Sequence, residues 1–157
     1  MGQSFGKFAG IVNVMAPILV IGYGNTLRSD DGAGPKVAEA FSAQENVRAI
    51  ATHQLTPELA EDLIQAKQVY FVDAAPVKQV TLQRIHLQDY QETFSHFVTP
   101  QGLLKLIKHL YQRPLPEAYF LLIPAENFTI GETFSDLTQA GVLKAIALLQ
   151  ARIKLCG

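Results

Sequence analysis

An uninterrupted apolar run, Ile18-Leu19-Val20-Ile21, lies between Pro17 and Gly22 and leaves this chain few architectures. Apolar residues in unbroken succession between two breakers describe a strand buried on both faces, as at the centre of a parallel sheet. Val47 to Thr52, Val69-Tyr70-Phe71-Val72 and Ala118 to Ile123 read the same way. Val80 to Leu87, richer in polar and β-branched residues, reads as an edge or antiparallel strand. Helical patterns stand between these runs. One begins near Pro35, and Thr56-Pro57-Glu58 offers a cap, a first-turn proline and an acidic first turn ahead of Leu59 and Leu63. Thr99-Pro100 repeats that start before the stripe Leu103, Leu104, Ile107, Leu110 and Tyr111, and Ser135 opens a last helix with a Val142, Ile146, Leu149, Ile153 seam. The alternation is the signature of α/β architecture.

The chain has 157 residues, 48% of them apolar, enough for one core without metal or disulfide staples. Residues 1–15 read as an N-terminal extension and residues 16–157 as the domain. The apolar stretch Phe8 to Ile21 behind Lys7 is shorter than the roughly 18 residues a membrane span needs, and it runs into a Gly-rich turn. Thirteen basic against fourteen acidic residues leave a net charge of −1 with no run of either sign, which argues against nucleic-acid or membrane partners. The one cysteine, Cys156, excludes an intrachain disulfide framework and a cysteine-based zinc site, and fits a reducing, cytoplasmic setting.

In open α/β sheets ligands bind beyond the carboxyl ends of the parallel strands. The richest of these stretches is Gly22-Tyr23-Gly24-Asn25-Thr26-Leu27-Arg28-Ser29-Asp30-Asp31-Gly32-Ala33-Gly34. It is not a dinucleotide fingerprint: Leu27 stands where the third glycine belongs, and the second strand ends in Thr52-His53 instead of a ribose-binding acid. What remains is a glycine turn with paired carboxylates. Asp30 and Asp31 suit capping and turns, yet adjacent residues point apart, so one can cap while the other faces the cleft. Asp73, after the run Val69 to Val72, either closes an Asx turn or presents a carboxylate at the ligand edge. Of the histidines, His86 and His109 read as solvated, His53 ends a strand, and His96 precedes a capped helix on a loop that can fold over the sheet edge. Two carboxylates and an imidazole, if they converge, suit a divalent ion such as zinc, nickel or manganese.

The Gly22 to Gly34 stretch resembles the G-x-G-N-x-L-x-x-D-D/E-x-x-G hallmark of the nickel–iron hydrogenase maturation endopeptidases. Val72-Asp73-Ala74, Ser95-His96, Leu103-Leu104 and Ile130-Gly131-Glu132 follow in that family's order, so the resemblance runs from about Pro17 to the C-terminus. His53-Gln54-Leu55-Thr56-Pro57-Glu58-Leu59 is similar to the branch serving bidirectional, NAD-linked hydrogenases. The resemblance implies a single three-layer α/β domain with a twisted, mainly parallel central sheet flanked by helices. It also implies a monomeric cytoplasmic hydrolase, of the aspartyl-protease kind, that removes a C-terminal extension from the hydrogenase large-subunit precursor once nickel is inserted. Asp31, Asp73 and His96 would be the metal ligands and Asp31 and Asp73 the catalytic carboxylates, with two routes to an active water: nickel polarising a carbonyl or binding the water, or Asp31 or Asp73 acting as general base. Nickel would arrive with the precursor, and zinc or cadmium could stand in for it on the isolated protein. Asp30 would cap or orient the loop. An alternative register puts Gln101 at the third ligand position; His96 keeps both a ligating side chain and the spacing to Leu104. Two other functions fit the same residues: a non-catalytic nickel-binding chaperone for the precursor, and a metal hydrolase of small peptides.

Overall fold

A computed structural model describes residues 17–89 and 98–156. The expected extension, residues 1–15, and His96 lie outside them. The strands are β1 (Ile18–Tyr23), β2 (Val47–Thr52), β3 (Gln68–Ala75), β4 (Thr81–Arg84) and β5 (Glu117–Pro124). The helices are α1 (Ala33–Glu39), α2 (Ala60–Leu63), α3 (Pro100–Tyr111) and α4 (Asp136–Cys156). The strands form one sheet in the order β2-β1-β3-β5-β4. Four run parallel, while β4 pairs antiparallel with β5 at the edge, as its polar sequence suggested.

Alternation along β1 divides the core into the two faces of a three-layer sandwich. Ile18 and Val20 pack with Val37, Phe41, Val142 and Leu149, placing α1 and α4 on one side. Leu19 and Ile21 pack with Leu59, Leu63, Leu103 and Ile107, placing α2 and α3 on the other. An apolar run buried on both faces is the reason β1 shows no polar alternation. Among the described residues no helix is long and apolar enough to cross a membrane.

Three elements differ from their sequence reading. β3 continues through Asp73 to Ala75, so Asp73 is a strand residue opposite Leu122 and not a turn residue. Polar groups are accommodated there because this end of the strand faces the cleft. The second helical segment shrinks to a 3₁₀ turn, Pro57–Leu59, and one α turn. Thr56 has the extended backbone of an N-cap, but its side chain makes no cap bond and instead engages the Glu58 carboxylate. Helix α1 begins at Ala33, ahead of Pro35, directly after the 3₁₀ turn Ser29–Gly32. Thr99 does cap α3, its Oγ1 accepting from the Gly102 N–H at 3.0 Å, and Ser135 Oγ accepts from the Thr138 N–H at the start of α4.

Candidate metal centre

Glycine is required where α1 meets the sheet. A Cβ on Gly34 would overlap the carbonyl oxygens of Val72 and Tyr23, and one on Gly22 would overlap the carbonyl of Gly34. Without side chains, the first turn of α1 lies directly on the backbones of β1 and β3. Gly24 has φ +145°, a conformation side chains disfavour, and its N–H is shared between the carbonyls of Thr52 and His53 at 3.1 and 3.2 Å. The turn after β1 is thereby fastened to the end of β2.

This packing brings Asp31, from the 3₁₀ turn, and Asp73, from β3, to one cleft of about 400 Å³. Tyr23, Asn25, His53, Thr56 and Val98 also line it. It lies at the carboxyl edge of the parallel strands, between the diverging connections of β1 and β3, where open α/β sheets bind ligands. Asp31 Oδ2 accepts the Asn25 N–H at 2.8 Å, which orients the carboxylate. Burial, and then the negative charge of Asp31, push the Asp73 carboxyl up to about 6, against hydrogen bonds from the Tyr23 hydroxyl and the Ala74 N–H that favour its ionised form. Burial and the Asp73 carboxylate raise the Tyr23 hydroxyl above its ordinary range, so Tyr23 remains a donor.

The pair can do two things. Close carboxylates repel, and a divalent cation between them relieves the repulsion. A buried carboxyl titrating near neutrality can also exchange a proton with a reacting water. Among the described residues no three His, Cys, Asp or Glu side chains are grouped to hold a metal. Val98, two positions after His96 in sequence, lines the cleft, whereas Gln101 lies in the first turn of α3 and does not. Tyr23 was missed in the sequence because it reads only as the last residue of a strand. The register carries the signal: Gly22 pairs with Val72, which sets Tyr23 beside Asp73.

Asp30 turns away from the cleft and is 0% exposed. Its carboxylate accepts from the N–H groups of Glu126, Asn127 and Ser135 and from the Ser135 hydroxyl, at 2.8–3.0 Å. Burial raises its pKa, but the four hydrogen bonds outweigh that and hold the group ionised down to about 2. The adjacent aspartates therefore point apart, Asp30 into the loop between β5 and α4 and Asp31 to the cleft.

The architecture matches solved hydrogenase maturation proteases. The maturation protease HybD from Thermococcus kodakarensis is 25% identical, with a TM-score of 0.67 over 85% of this chain and 97% of its own. The hydrogenase 2 maturation peptidase of a Thaumarchaeota archaeon is 23% identical, with a TM-score of 0.63 over 87% and 97%. The hydrogenase maturating endopeptidase HybD from E. coli is 18% identical, with a TM-score of 0.70 over 89% and 93%. No protein-family model and no curated protein sequence matches the chain. The chain has the hydrogenase maturation endopeptidase fold.

Proposed function

We propose that this protein is an endopeptidase that removes the C-terminal extension of a nickel–iron hydrogenase large-subunit precursor after nickel insertion, acting as a cytoplasmic monomer. The observation that carries this reading is the meeting of Asp31 and Asp73 in one cleft, in a fold shared with hydrogenase maturation proteases. With His96, these carboxylates complete the coordination of a nickel that the precursor already holds. Thiolate ligands come from the precursor, since the only cysteine here, Cys156, ends α4. Binding through the metal sets the scissile peptide at attack distance, and an unloaded precursor lacks that anchor. The attacking water is activated in one of two ways: by the precursor's nickel, acting on that water or on a nearby carbonyl, or by Asp31 or Asp73 as general base.

His53, Gln54, Leu55, Thr56 and Pro57 line the same cleft. Their resemblance to the NAD-linked branch supports the large subunit of a bidirectional hydrogenase as the substrate. Purified protein mixed with nickel-loaded and nickel-free precursor should release a short C-terminal peptide from the loaded form only. Absence of cleavage from the loaded precursor would overturn the protease reading and favour a chaperone.

A further inference from the structure

The buried aspartate beside the proposed site has no role in ligating metal, yet it is the most heavily bonded side chain near the cleft. Asp30 engages the loop between β5 and α4 through both backbone and side chain: its N–H donates to the Asn127 carbonyl at 2.9 Å, and its carboxylate takes the four donors of Glu126, Asn127 and Ser135. Neighbouring residues join the same seam. Ser29, at φ +52°, donates its N–H to Gly131 and its hydroxyl to the Thr129 carbonyl at 2.7 Å, and the Gly131 N–H returns to Leu27 at 2.9 Å. Ser135 relays the contact inward, since its hydroxyl lies 3.2 Å from Thr138 Oγ1, which donates to the Pro124 carbonyl at 2.8 Å.

A 3₁₀ turn advances by roughly 120° per residue. Locking Asp30 inward therefore fixes the direction in which Asp31 leaves the turn. We infer that Asp30 is a positioning residue for Asp31, and that residues 126–135, through Ser135, form a latch setting the Asp31 carboxylate at the angle the cleft requires. This rests on the protease reading for its catalytic consequence but not for its geometric one.

The test uses Asp30→Asn and Ser135→Ala in the full chain, with two readouts. The first is the backbone amide resonance of Asn25, whose N–H donates to Asp31 Oδ2. Asp31→Ala supplies the position of that resonance when the acceptor is lost. Asp30→Asn should move the resonance at least halfway toward that position, and Ser135→Ala should move it less in the same direction. The second readout is cleavage of nickel-loaded precursor: kcat/KM should fall on the order of tenfold to a hundredfold, because a displaced Asp31 neither anchors the nickel nor holds the scissile peptide at attack distance. Arg152→Ala, at the far end of the sheet, is the control for lowered stability and should change neither. An unmoved Asn25 resonance in both latch variants, with only a lower melting temperature, overturns the inference; if Asp30→Asn does not fold, Ser135→Ala decides alone. A chain that cleaves no precursor refutes the protease reading, while the amide readout still decides the latch.

Discussion

Gly24 packs so closely on Asp31 that a Cβ at Gly24 would lie inside the van der Waals envelope of the Asp31 carbonyl oxygen. The first glycine-turn residue after β1 and the proposed metal ligand seven positions later are thus one packing unit. Gly24→Ala adds both this clash and an unfavourable φ, so it should cost about 2–4 kcal/mol. Denaturant unfolding measures that loss, and precursor cleavage should fall with it because the Asp31 backbone must shift. An alanine variant of full stability and activity would contradict the geometry.

Asp31→Asn keeps an acceptor for the Asn25 N–H while removing the charge that faces Asp73. Its melting temperature should match or exceed that of the parent, with cleavage of nickel-loaded precursor abolished. Gain of stability with loss of activity is the behaviour of a charge held in place for function. Asp73→Ala should abolish cleavage as well.

His96→Ala and Gln101→Ala separate the two registers for the third ligand. Loss of processing is expected for His96→Ala alone, because Val98 lines the cleft and Gln101 does not. Electrophoresis of the precursor reads the outcome, and the reverse pattern would move the ligand to position 101.

The four hydrogen bonds to Asp30 give stability a defined acid limb. Its folded pKa of about 2 is below the ordinary aspartate value of 3.8. The contribution is therefore complete above roughly pH 4 and disappears as pH falls through the folded value. Melting curves between those limits should be less steeply pH-dependent in Asp30→Asn than in the parent.

At the opposite pole, Tyr70 and Tyr119 stack with centroids 5.2 Å apart, and Arg152 covers both rings while donating to the Tyr70 hydroxyl at 2.9 Å. Arg152→Ala should cost about 1–3 kcal/mol from the lost cation–π contacts and hydrogen bond. Chemical denaturation is the measurement, and cleavage at temperatures where the variant is folded should be unaffected.

The sequence was most legible where local pattern and burial agree. The run Ile18 to Ile21 is a strand because both its faces are covered, and Thr99-Pro100 starts α3 because Thr99 really caps it. Legibility failed where a neighbour decides. Asp73 reads equally as a turn former or as a carboxylate at the ligand edge, and pairing with Leu122 decides for the strand. Thr56 and Pro57 promise a full helix, yet only a short turn fits before β3. Within the site, Asp31 could be singled out by its motif. The partners of Asp30 could not, because Glu126, Asn127 and Ser135 are 96 to 105 residues away and carry no periodic signal.

That separation ties the turn bearing both aspartates to a stretch synthesised 96 to 105 residues later. A nascent chain ending before Ser135 can pair β1, β2 and β3, since those strands precede residue 76, but it has no donor from Ser135 for Asp30 and no α4 to cover the face that Val20 helps form. Non-local contacts of this kind form late in folding. A ribosome-bound fragment ending before Ser135 therefore carries both aspartates without the two Ser135 donors that brace the turn between them.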